Sequence, residues 1–227
     1  VNKILQELIN EAIVVELSGK STKSGTLIDV GSDTIVLFNG FDYIYIPIVH
    51  IQHINLDEDN SYVQDSSDTD NSSFVLPKEE NDEWSLRKVL TQAKGIFVEI
   101  YVTGNQPLHG YITSIMNNYF VFHSPVYKTM YITINHLKWL IPYPQNQRPY
   151  GLEDHNFPVQ MANLLLSRTF EVQLEKCKGK IIILNIGEKE QYIGKLIKVI
   201  GPIVELKNAR SKPVLINLQH IKTLQQA

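Results

Sequence analysis

Three histidines, His50, His136 and His220, stand at nearly even intervals along the 227-residue chain. Each opens the same short run: His50-Ile51-Gln52-His53-Ile54, His136-Leu137-Lys138-Trp139-Leu140 and His220-Ile221-Lys222-Thr223-Leu224. Imidazoles repeated in this way could meet on a threefold axis and hold a metal, which needs three or four convergent ligands. No Cys-x-x-Cys or His-x-x-x-His spacing supports that chemistry, and His53 gives way to Trp139 and Thr223 in the other two runs. The simpler expectation is a turn residue reproduced by a structural repeat, its ring satisfying a backbone group. Cys177 lies between Lys176 and Lys178, whose charge could favour the thiolate. No histidine stands near it in sequence, so an incidental, partly exposed thiol is expected; a lone cysteine makes no intramolecular disulfide. Paired carboxylates abound only in a low-complexity stretch, and phosphate-cradling glycine loops and serine elbows are absent. The sequence therefore predicts no enzyme, no metal and no cofactor.

Charge offers a second chemistry. The net charge is −3, but ten of the acids lie in residues 57–83 with Lys78 as the one base, so the rest of the chain is net positive. Bases gather late, as Lys176, Lys178, Lys180, Lys207, Arg210 and Lys212, while Tyr119, Phe120, Tyr127 and Tyr131 supply aromatic rings in the middle. Basic and aromatic groups on one loop face are what single-stranded RNA requires. Most of those aromatics fit the buried positions of strands, so a solvated basic face is expected and RNA binding is the alternative.

The elements that position these residues also repeat. Gly25, Gly110 and Gly194 precede the three histidines by 25 or 26 residues and open similar strands. Each copy reads as a helical leader (Lys3 to Ala12, Trp84 to Ala93, Val159 to about Ser167) and then five short strands, with Phe170–Leu174 also alternating like a strand. The glycine suits a place where a sheet curls and a side chain would clash. The expected fold is mainly β: three tandem Sm-like (SH3-type) small barrels, each with a short N-terminal helix. The expected boundaries are 1–56, 84–141 and 159–227, separated by an acidic disordered linker over 57–83 and a proline-rich linker over 142–158.

Glu16-Leu17-Ser18-Gly19-Lys20, Gly25-Thr26-Leu27 and Asp33-Thr34-Ile35 resemble the Sm-like barrel. Ser18-Gly19-Lys20-Ser21-Thr22-Lys23-Ser24-Gly25-Thr26-Leu27 and His220-Ile221-Lys222-Thr223-Leu224 are closer to the repeats of the spore coat protein B family. The long Ser/Lys/Arg-rich tail of that coat protein has no counterpart here before Ala227. The likeness implies a structural coat or assembly role without catalysis, with synthesis in the cytoplasm and the spore coat as destination.

A barrel of about 55 residues buries only about 60% of its chain surface, so single copies should be marginal. Head-to-tail strand pairing within the chain is expected to supply the missing contacts, leaving the outermost edges for another copy or another coat protein. No window reaches the roughly 18 apolar residues of a membrane span, so a soluble protein without membrane partners is expected.

Overall fold

The computed structural model describes residues 3–57, 74–78, 83–104, 106–152, 165–188, 192–210 and 212–227. Among these the chain is mainly β, with fifteen strands and three short α-helices. One order of elements is used three times. The first set is α1 (Lys3–Gln6), β1 (Ala12–Leu17), β2 (Ser21–Val30), β3 (Thr34–Phe38), β4 (Tyr43–Pro47), a 3-10 turn at Ile48–His50, and β5 (Ile51–Leu56). The second is α2 (Leu86–Gln92), β6 (Phe97–Tyr101), β7 (Leu108–Ile115), β8 (Tyr119–Ser124), β9 (Lys128–Thr133), a turn at Ile134–His136, and β10 (Trp139–Pro142). The third is α3 (Phe170–Glu175), β11 (Ile181–Leu184), β12 (Tyr192–Ile200), β13 (Ile203–Lys207), β14 (Val214–Asn217), a turn at Leu218–His220, and β15 (Thr223–Gln226).

By contact the chain forms two compact units, Val1–Ile100 with Lys138–Arg148, and Tyr101–Leu137 with Pro149–Ala227. The middle set contributes to both. In the first unit the strands run β6-β10-β4-β3-β2-β1-β5, and in the second β14-β13-β12-β11-β15-β9-β8-β7. The first and third sets thus share the order fourth, third, second, first, fifth. In each unit the fifth strand of one set lies against the fourth strand of the set before it.

The sequence accounts for the strands. In β1, Ile13, Val15 and Leu17 alternate with Val14 and Glu16 and are fully buried, as a half-covered strand requires. The second strand of every set carries one β-bulge three residues past the repeated glycine, where the register slips between Leu27 and Asp29, Ile112 and Ser114, and Leu196 and Lys198. A bulge bends its strand and increases the local twist. The glycines are needed because the third strand passes close by. A Cβ on Gly25 would lie 2.5 Å from the Phe38 carbonyl oxygen, on Gly110 2.1 Å from that of His123, and on Gly194 2.8 Å from that of Lys207.

The leaders are shorter than the sequence suggested, and the third is placed differently. Residues 159–164 lie outside the described residues, and the helix is Phe170–Glu175, the segment whose alternation read like a strand. Phe170, Leu174 and Cys177 follow helical spacing and enter one core with Tyr119, Val121 and Leu196, while Val172 faces outward. Of the first linker, residues 58–73 and 79–82 lie outside the described residues. Its segment 74–78 is held: Leu76 is buried and its N–H donates to the Tyr45 hydroxyl at 2.9 Å, while Lys78 pairs with Asp29.

Candidate functional site

The residue five positions before each repeated histidine sits on the fourth strand. In β4 it is Tyr45, opposite Leu140 of β10; in β9 it is Tyr131, beside Leu224 of β15. Both are shut away from water, at 1% and 9% exposure, as are Leu140 and Leu224 at 1% and 0%. The third occurrence, Leu215 on β14, is 67% exposed. Among the described residues β14 pairs only with β13, and β5 only with β1. The free edges are thus one fourth strand and one fifth strand, the two kinds that pair inside the chain.

Two further contacts recur at each internal junction. The corner between second and third strands caps the next leader. Asp33 accepts from the Leu86 N–H at 2.6 Å, and Asn118 from the Phe170 N–H at 2.8 Å. Beside them the Ser32 N–H donates to the Trp84 carbonyl at 2.8 Å and the Asn117 N–H to that of Arg168 at 3.0 Å. A helix leaves its first N–H groups without internal partners, so such an acceptor fixes where the following copy begins. The second contact is a lysine two residues past the histidine. Lys138 donates to the Ser18 carbonyl in the turn after β1; Lys222 donates to the Thr103 hydroxyl in the turn after β6, at 3.0 Å, and pairs with Glu188. At the first junction Trp139 is also held from above, with the Lys23 ammonium 4.1 Å from its ring centroid, a cation–π geometry.

Each repeated histidine ends a 3-10 turn. His136 Nε2 donates to the Gln219 carbonyl at 2.9 Å, which fixes the proton on that nitrogen. Burial is the main cause holding its pKa below the ordinary 6.5, and the nearby Lys222 and His220 act the same way. His50 Nδ1 lies 3.2 Å from the Ser18 hydroxyl. His220 lies exposed, and its carbonyl accepts from the Asn185 side chain at 3.0 Å. Among the described residues no group of three or more His, Cys, Asp or Glu side chains could hold a metal. The cavity beside His136 and Gln219 measures about 80 Å³, well short of the roughly 300–1,000 Å³ of small-molecule clefts.

Cys177 differs from the sequence expectation in its exposure. It is buried, and burial raises its pKa more than Lys180 lowers it. Its Sγ donates to the Gln173 carbonyl at 3.7 Å. This thiol is a core residue, without the partial exposure expected of it or the thiolate character its lysine neighbours suggested.

The bases do share a region. Lys180 precedes Ile181, which lies opposite Lys195, which lies opposite Lys207. Lys195 was missed in the sequence because it sits outside the dense run; only the register of β12 reveals it. Lys176, Lys178, Arg210 and Lys212 are exposed, Lys176 reaching the Leu165 carbonyl at 2.9 Å and Lys180 the Gln226 side chain at 3.0 Å. Three of the four aromatics are withdrawn from any stacking role: Tyr119, Phe120 and Tyr131 are buried, and the Tyr119 hydroxyl donates to the Ser167 carbonyl at 2.6 Å, while Tyr127 is half-buried. No described helix is long and apolar enough to cross a membrane.

Known proteins match this chain as follows. A family model described as the YwrJ third domain matches residues 169–224, which run from the N-cap of α3 to Leu224 in β15. Over its whole length the chain is similar to the uncharacterized protein YwrJ of Bacillus subtilis (strain 168), at 38% identity over 227 residues covering 98% of each chain. On that extent of likeness, the chain belongs to the YwrJ family.

Proposed function

We propose that this protein is a non-enzymatic assembly component, a spore-coat-type scaffold of three Sm-like small barrels that works through protein–protein contacts of its edge strands. The repeated strand order, the bulged second strand and the glycine at the tight crossing support three small barrels, since a bent second strand lets one short sheet curl upon itself. The observation that carries the assembly role is the pair of open edges: among the described residues β5 pairs only with β1 and β14 only with β13, and Leu56 and Leu215 on them are exposed. Edge strands recruit partners by adding a strand. Affinity capture from sporulating cells tests the reading. Coat proteins should be retained by the wild-type chain and lost when Leu215→Lys places a charge on the edge.

One observation favours a second reading, Sm-like binding of single-stranded RNA: the row Lys180, Lys195 and Lys207 with Arg210 and Lys212 nearby. Phosphate contacts lose affinity steeply with salt. Tight, salt-sensitive binding of single-stranded RNA, abolished by Lys195→Glu with Lys207→Glu, would replace the scaffold reading with this one.

A further inference from the structure

The two internal junctions are built alike, and together they specify a third. In each, a fifth strand lies antiparallel to the preceding copy's fourth strand, with the residue four after the histidine opposite the residue five before it, as Leu140 with Tyr45 and Leu224 with Tyr131. The described chain leaves one strand of each kind, β5 and β14, without a second partner. Resting on the assembly reading above, we propose that β5 of one molecule adds to β14 of a second copy of this chain, with Ile54 opposite Leu215 and His53 opposite Ile216.

Three observations on the two edges commit the occupant to a second copy. Leu215 occupies the position that Tyr45 and Tyr131 fill in the internal junctions, and it alone of the three is exposed to solvent. Continuing the same register sets Leu56, 57% exposed, opposite Pro213, so the apolar edge of β5 meets the start of β14. One residue further, Asp57 falls opposite Lys212. Opposite charges directly across a strand pair stabilise it. Because β5 and β14 differ, the contact is head-to-tail; it propagates until rotation closes a ring, or continues as a filament.

The outer junction is also weaker than the inner ones by identifiable residues. Gln52 stands where Lys138 and Lys222 reach into the preceding turn, and Pro202 stands where Asp33 and Asn118 cap the following leader. The internal junctions are joined for good by the covalent chain, whereas this one is reversible.

The experiment mixes full-length Ile54→Cys protein with full-length Leu215→Cys protein of different tag mass under mild oxidation. A disulfide between the two variants, absent when either is oxidised alone, is the expected result; Cys177 is buried and does not interfere. Light scattering over a concentration series should show wild-type mass rising above the monomer. Leu215→Lys should weaken the association at least tenfold without loss of folding, because the side chain is already in water. Gln52→Lys should tighten it by up to about fivefold, the range of one surface ion pair or charge-assisted bond. A monomer at every concentration with no mixed disulfide overturns self-pairing. If coat proteins are still captured in an edge-dependent manner, the scaffold reading survives that loss; if capture ignores the edge as well, both fall.

Discussion

Strands β9 and β14 are the same element at two places in one chain, and they differ mainly in what lies beside them. In β9 the last four residues are buried and Tyr131 is part of a core with Phe170 and Leu174. In β14 only Ile216 is fully buried, and Leu215 faces water. The shared position is buried where a fifth strand lies beside it, at Tyr45 and Tyr131, and exposed at Leu215 where none of the described strands does, so burial on the fourth strand is conditional on a neighbour.

The largest expected break in this comparison is a charge at the shared position. Tyr131→Lys should destabilise the fold by about 3 kcal/mol or more, since it buries an unpaired ammonium, whereas Leu215→Lys should stay within about 0.5 kcal/mol; urea denaturation of both variants decides it. Next come the glycines. Gly110→Ala should cost about 1–3 kcal/mol because its Cβ would collide with backbone at 2.1 Å, and Gly194→Ala less, with 2.8 Å available. An unfolding midpoint no lower for Gly110→Ala than for Gly194→Ala would count against the closer crossing at Gly110. Loss of a junction cap is smaller: Asn118→Ala should lower stability by about 1 kcal/mol, while Pro202→Asn, with no leader to cap in the monomer, should leave it unchanged.

The smallest effect is a pH dependence. Burial depresses the pKa of His136 and of His123, so the unfolded chain binds protons more readily than the native one. Stability from these neutral rings is complete above about 6.5, the unfolded value, and is lost as pH falls toward the lower native values. Thermal melts between pH 7.5 and 5 should show the decline, and His136→Gln should flatten part of it. A slope identical in that variant would remove His136 from the account.

Much of the fold is legible in the residues. The glycine-to-histidine spacing marks the copies because a tight crossing and a turn each demand a particular residue type, whatever surrounds them. The alternation of Ile13, Val15 and Leu17 gives β1 directly. Phe170–Glu175 misleads, because apolar Phe170, Val172 and Leu174 match a period of two, and only Cys177 extends them to the helical face that packs. The junctions are less legible still. Lys138 and Lys222 look like any surface lysine, and their targets, a carbonyl in the turn after β1 and a hydroxyl in the turn after β6, are about 120 residues away in sequence. Asp33 reads as an ordinary corner aspartate until the Leu86 N–H is placed against it. Residues that act through distant backbone leave no periodic trace, so they come into view only with the tertiary contacts.

The covalent linkage of three copies has a bearing on how such a material would grow. In the proposed assembly two of every three fifth-to-fourth strand junctions form within one molecule, where the local concentration of partner is on the order of millimolar and no collision is needed. Only the proposed junction between molecules would answer to how much protein the cell has made. If β5 and β14 of successive molecules pair as proposed, growth would be switched on by abundance alone, with a threshold set by the few edge residues around Ile54 and Leu215 rather than by the stability of the molecule that carries them.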